Sequence, residues 1–175
     1  MSLADAADER FIAALFDSFR RRLGRELIPA ESSIATNETS ESAAGRSRAA
    51  LDRWSAVVVA HDTRPDPVFV YANQAALALW EMPAETFLGM PSRLSAEPLH
   101  RDERARLMER TKRMGFVDDY QGIRISATGR RFRIEQAILW NIELDGRLIG
   151  QAATFDRWTP LASSGPEAPS ETHAP

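Results

Sequence analysis

Residues 130–141 read RRFRIEQAILWN. In an extended chain, alternate side chains fall on opposite faces. That places Phe132, Ile134, Ile138 and Trp140 together, with Gln136 as their one polar companion. Arg131, Arg133 and Glu135 fall on the other side. A strand with one apolar and one charged face belongs to a sheet that is core on one side and wet on the other. Thr128-Gly129 and Asp145-Gly146 are hairpin signals, and they join this strand to neighbours predicted over Phe116–Ala127 and Arg147–Phe155.

Upstream, the β-branched run Trp54–Ala60 predicts a strand. His61–Pro67 (HDTRPDP) is a turn, forced by two prolines, and Val68–Tyr71 is the returning strand. Asn73 suits an N-cap, its side chain accepting from the first free amides of a helix, here Gln74–Trp80. Short turns over Ala84–Leu88 and Ser92–Ala96 are fenced by Pro83, Pro91 and Pro98. A longer helix is predicted over Leu99–Met114, an ion-paired surface helix stopped by Gly115.

At the N-terminus, Phe11, Leu15, Phe19 and Leu23, with Ile12 and Phe16 alongside, form the apolar stripe of a helix over Asp8–Leu23. Gly24 stops it. Arg20, Arg21 and Arg22 in its last turn suit a solvated helix end. This stripe is more apolar surface than a solvated helix tolerates; it predicts a homodimer through these six residues, the alternative being that part of it covers the open face of the sheet. Pro29–Gly45 is polar and reads as linker, followed by a short helix over Arg46–Trp54. Thr159–Pro175 holds four prolines and no aromatic residue and is expected to be disordered. The organisation expected is thus 1–24 helix, 25–45 linker, 46–158 domain and 159–175 tail.

Composition narrows the function. A chain of 175 residues with a net charge of −3 has no general attraction for nucleic acid or an anionic membrane. No cysteine is present, which excludes disulfides, thiolate metal sites and cysteine nucleophiles. No stretch has the length of a membrane span, and the acidic opening MSLADAADER is unlike a signal peptide. The reading is therefore a cytoplasmic protein.

The expected fold is α+β: a five-stranded antiparallel sheet with helices over one face, inserted after the second strand, and an amphipathic helix in front. That is a PAS-like layout. The strings VFVYANQAALALWE (68–81), PSRLSAEP (91–98), GFVDDYQGIRISATGRRFRIEQAILWN (115–141) and GQAATF (150–155) resemble the MEKHLA domain. This is a PAS-related family found as stand-alone bacterial proteins and at the C-terminus of plant homeodomain–leucine-zipper regulators. The resemblance implies a ligand-, signal- or partner-binding role; separately, from the residues themselves, neither catalysis nor a resident cofactor is expected. Flavin-adduct photosensors and photoactive yellow proteins need a cysteine, absent here. Haem-binding PAS domains use a histidine on the long helix, where His100 stands at the helix entry among charged neighbours.

Three groups of residues carry candidate chemistry. Phe69, Trp80, Phe87, Tyr120, Phe132, Ile134, Ile138 and Trp140, with Asn73 nearby, either line a pocket for a small apolar ligand or pack into a filled core. Arg93 either binds a ligand carboxylate or phosphate as a bidentate fork or pairs with Glu97 or Glu81 to fix its loop. Asp118, Asp119 and Tyr120 supply the groups of a small acid–base enzyme, yet neighbouring strand residues point opposite ways. No metal-ligand cluster or phosphate loop is present. The sequence thus points to a PAS-like module that binds a small molecule or partner protein and signals by association. The alternatives are a ligand-free dimerisation module and a small enzyme using Asp119 or Asp118 with Tyr120.

Overall fold

The computed structural model describes residues 3–29, 43–96, 110–111 and 113–162. Most of the expected linker, most of the long helix with His100, Glu97, and the tail beyond 162 lie outside the described residues.

Helices α1 (Leu3–Leu23) and α2 (Ala43–Arg53) precede strands β1 (Val57–His61) and β2 (Phe69–Ala72). Helices α3 (Gln74–Trp80) and α4 (Ala84–Phe87) and a 3-10 turn (Ser92–Ser95) follow. Strands β3 (Phe116–Ile125), β4 (Arg131–Leu144), β5 (Arg147–Phe155) and β6 (Arg157–Pro160) complete one antiparallel sheet. Its order is β2-β1-β5-β4-β3, with β6 paired to β4.

The turn chemistry explains the hairpins. Asp62 receives the amides of Arg64 and Val68 on its carboxylate and closes the β1–β2 turn. Asp145 and Gly146 both hold positive φ, 51° and 74°, as a two-residue turn matched to strand twist requires.

Two expectations about the sheet are corrected. It has six strands, and helices cover both faces. β6 includes Thr159 and Pro160, assigned to the tail above, and pairs with β4 from Phe132 to Glu135. Its side chains are all exposed, so burial leaves no alternating pattern to read. Backbone pairing holds it, assisted by Arg157 donating to Gln136 and Thr159 to Glu135.

One face, the inner one, lies under α3 and α4 and carries Val57, Val59, Val117, Tyr120, Phe132, Ile134, Ala137, Leu139 and Phe155. The other, the outer face, carries Val58, Ala60, Trp140, Ile142 and Ala152, and α1 and α2 lie across it. Ile12, Leu15 and Phe19 of the stripe are essentially fully buried there, with Phe11, Phe16 and Leu23 half-buried beside them. The stripe read above as a homodimer interface is therefore occupied by the chain's own sheet. Each of those three side chains contributes about 1.5–3 kcal/mol through burial.

Polar groups fix the helices in place. The Ser18 hydroxyl receives the Glu143 amide at 2.9 Å and faces the Glu143 carbonyl at 3.3 Å. Arg22 pairs with the Glu143 carboxylate at 2.5 Å. At the rim, the buried Tyr71 hydroxyl donates to Asp52 at 2.6 Å. Arg48 lies over the Tyr71 ring and pairs with both Asp52 and Asp8, joining α1, α2 and β2.

Strand β4 serves both cores because it changes phase. Gln136 has φ +51°, and between Ile134 and Ala137 the strand takes three steps while β3 takes two, from Gly122 to Tyr120. This is a β-bulge. Phe132 and Ile134 face inward before it, and Ala137 and Leu139 face inward after it. Ile138, Trp140 and Ile142 consequently face outward, against α1 and its neighbours. A second bulge lies in β3, where Val117 pairs with Leu139 and Tyr120 with Ala137. There Asp118 and Asp119 together stand against the single residue Ile138.

Candidate functional site

Six of the expected pocket residues come together on the inner face: Phe69, Trp80, Phe87, Tyr120, Phe132 and Ile134. Trp80 is their hub. Its ring meets Phe87 at 5.6 Å, Phe132 at 5.4 Å and Phe155 at 6.2 Å, all edge to face. Phe69 stacks on Phe87 at 4.4 Å. The Trp80 indole N–H donates to the Ser95 carbonyl at 3.4 Å, so its polar atom is satisfied within the protein. These rings pack against one another at the centre of the inner face. Gly122 belongs to this packing, since a Cβ there would meet the Tyr120 hydroxyl at 2.4 Å.

The other expected site residues go elsewhere. Ile138 and Trp140 lie on the outer face, because the Gln136 bulge reverses the alternation that had grouped them with Phe132 and Ile134. Trp140 donates its indole N–H to the Leu15 carbonyl at 3.2 Å and meets Phe19 edge to face at 4.9 Å. Asn73 caps α3 as expected, yet it is wholly enclosed and faces no pocket. Its Oδ1 accepts from the amides of Ala76 and Val58. Its Nδ2 points at the carbonyls of Leu51, Trp54 and Ala56. Arg93 pairs with Asp66 at 3.1 Å on the surface, and not with Glu81. The β3 bulge turns Asp118 and Asp119 to solvent while Tyr120 is buried. Asp119 pairs with Arg110 at 2.9 Å, and the Tyr120 hydroxyl accepts from Arg124 at 3.1 Å. These three residues do not share a cavity. Among the described residues, no group of three His, Cys, Asp or Glu side chains is placed to hold a metal ion.

A concavity formed by described residues lies at one end of the sheet, a groove of about 400 Å³ between the α3 end, the β3–β4 loop and β6. Leu79, Phe132 and Trp158 are among its apolar lining residues, and Thr128, Arg130 and Arg131 among its polar ones. Phe132 was expected at a pocket. The others were missed because they come from three distant segments. The available signal was Trp158, a large apolar residue placed just beyond the last core strand.

Glu81 braces this groove. It terminates α3 in the left-handed region, φ 56°. Its carboxylate accepts from the Ser126 hydroxyl at 2.6 Å, from the Thr128 hydroxyl, and from Arg130 at 2.7 Å. Those hydrogen bonds, with Ser126 first, hold its pKa down at about 2, against an ordinary 4.5. A carboxylate whose folded pKa is depressed stabilises the fold above its unfolded pKa, and that contribution is lost as pH falls through the folded value. The Tm deficit of Glu81→Gln is therefore expected to be full at pH 7 and to vanish as the pH falls from 4.5 toward 2. Melting curves that stay parallel across this range would contradict the assignment.

An antiparallel sheet with short helices inserted after its second strand is a PAS-type fold. The PAS domain of a protein from Colwellia psychrerythraea is 13% identical with a TM-score of 0.55, covering 67% of this chain and 95% of that one. A Rhodobacter sphaeroides LOV protein is 19% identical with a TM-score of 0.53, covering 67% and 66% respectively. An RNA-binding light-oxygen-voltage receptor is 23% identical with a TM-score of 0.55; 69% of this chain is covered and 36% of the receptor. At these identities the likeness is one of fold. The MEKHLA domain matches residues 9–160, and the chain belongs to the MEKHLA domain family. No curated protein matches the sequence.

Proposed function

We propose that this PAS-like module is a sensor without catalysis, which binds a small molecule or partner protein and reports it by association of α1 with a second chain. The observation supporting this is the division of β4 between two cores. Side chains six positions apart on one strand, Ile134 against Trp140 and Phe132 against Ile138, contact the inner rings and the outer core respectively. A displacement of β4 caused on the inner face is felt by α1 through Trp140, Leu15 and Phe19. Loosened from the sheet, α1 offers the stripe of Ile12, Leu15 and Phe19 to another copy. In the docked state that stripe is buried, so association follows release.

Ile134→Trp tests this by crowding the inner face, at a cost of about 1–3 kcal/mol. Hydrogen exchange is expected to accelerate in α1 while β1, β4 and β5 stay protected, and light scattering is expected to show a rise toward the dimer mass. Unchanged exchange in α1, with inner-face packing visibly altered, would overturn the coupling.

A further inference from the structure

We infer that the surface a released α1 takes up in a second chain is the outer face of that chain's sheet, so that two copies associate by trading their N-terminal helices. The inference deepens the sensor reading and rests on it. A released stripe can be covered in two ways: by the stripe of another copy, or by the sheet face that the other copy's α1 has left. Polar groups decide between them.

Docked on the sheet, α1 satisfies groups that apolar contact alone leaves unpaired. The Trp140 indole N–H donates to the Leu15 carbonyl at 3.2 Å. The Glu143 amide donates at 2.9 Å to the hydroxyl of Ser18, a residue that is 1% exposed. Arg22 pairs with the Glu143 carboxylate and presses on Gly115, where a Cβ would meet its guanidinium carbon at 2.6 Å. Arg10 pairs with Asp145, and Asp8 with Arg48 of α2. The partners in this set come from β3, β4, the β4–β5 turn and α2. Two stripes laid on each other would bury Ile12, Leu15 and Phe19 but supply none of these partners. They would also leave Val58, Trp140 and Ile142 uncovered on both sheets, an apolar patch that a soluble surface rarely carries. Trading helices remakes every one of these contacts at two equivalent interfaces, in a pair closed by a two-fold axis. Buried polar groups that lose their partners are costly, so the exchanged pair is the favoured one.

The connection is long enough. Thirteen residues, 30–42, separate Pro29 from Ala43, a contour of roughly 45 Å when extended. An identical helix docked identically on a neighbour sacrifices no contact, so chain concentration sets the balance between the closed monomer and the exchanged dimer.

Two full-length variants with complementary charge defects test this. One carries Arg10→Asp and Arg22→Glu, the other Glu143→Arg and Asp145→Arg. All four side chains are at least a quarter exposed, and circular dichroism checks that both variants fold. Within either variant, like charges now face each other between α1 and the sheet. In a mixed pair with traded helices, every such contact is again between opposite charges, reversed at one interface and native at the other. Light scattering of the equimolar mixture is expected to show a one-to-one dimer, tighter by about tenfold or more than the self-association of either variant alone. Equal association in the mixture and in each variant would overturn the trading of helices in favour of stripe on stripe, and would leave the association reading intact. A mixture that stays monomeric at its highest attainable concentration, while Ile134→Trp still frees α1, would overturn it as well. A mixture that dimerises while Ile134→Trp leaves hydrogen exchange in α1 unchanged would keep the traded helices and sink the sensor coupling. Failure of both would sink both.

Discussion

Replacement of Asn73 by alanine is expected to cost about 3–5 kcal/mol, since it removes a helix cap and strips partners from buried backbone groups. The Val58 and Ala76 amides lose their shared acceptor, and the carbonyls of Leu51, Trp54 and Ala56 lose their donor. That is a large share of the roughly 5–15 kcal/mol that stabilises a domain. Asn73→Asp is the sharper test. At an exposed helix end, aspartate caps as well as asparagine. Here its second oxygen would replace Nδ2 and face three carbonyl oxygens, the Ala56 one at 2.7 Å. Burial and those carbonyls raise the carboxyl pKa in the folded state. The aspartate variant is thus expected to be more stable at pH 4 than at pH 7, the reverse of the Glu81 effect. Urea unfolding at both pH values measures it, and a variant as stable as the wild type at pH 7 would refute the role.

Trp140→Ala is expected to cost about 3–5 kcal/mol by lost burial and the cavity left behind. The residue is fully buried between β4 and α1, and its loss removes the Phe19 ring contact and the donor to Leu15. Trp140→Phe keeps most of the apolar area and is expected to lose only about 1–2 kcal/mol, for the unmade hydrogen bond. Denaturant unfolding followed by far-ultraviolet circular dichroism ranks the two. Alanine and phenylalanine variants of equal stability would mean that the indole body is not what anchors α1.

Local chemistry made much of this legible from the sequence. Asn73 stands where a cap must, Asp145-Gly146 where the backbone must take positive φ, and Gly24 where α1 stops, with φ +69°. The grouping of Phe69, Trp80, Phe87, Tyr120, Phe132 and Ile134 followed from periodicity, and they form one core. What stayed hidden depends on nonlocal geometry. An amphipathic stripe states that a helix must be covered, not by what, so the sequence left Leu15 and Phe19 between a second copy and the open face of the sheet, and it is the sheet that covers them. A bulge has no strong signature when its residue is glutamine, so Ile138 and Trp140 were placed on the wrong face. β6 leaves all four of its side chains exposed, and hydrophobic patterning does not see it. Arg93 met Asp66, 27 positions back, because the β1–β2 turn folds beside the 3-10 turn.

The bulge at Gln136 also governs how relatives of this chain should be compared. Strand β4 is read in two frames, one up to Ile134 and another from Ala137 onward. A one-residue gap introduced between those points is not a neutral adjustment. It transposes the contents of two cores, sending Trp140 and Ile142 among the inner rings and Ala137 and Leu139 toward α1. Hydrophobic columns on either side of Gln136 therefore belong to separate alignments of function. Substitutions in one bear on what the inner face holds, and those in the other on how firmly the N-terminal helix is kept.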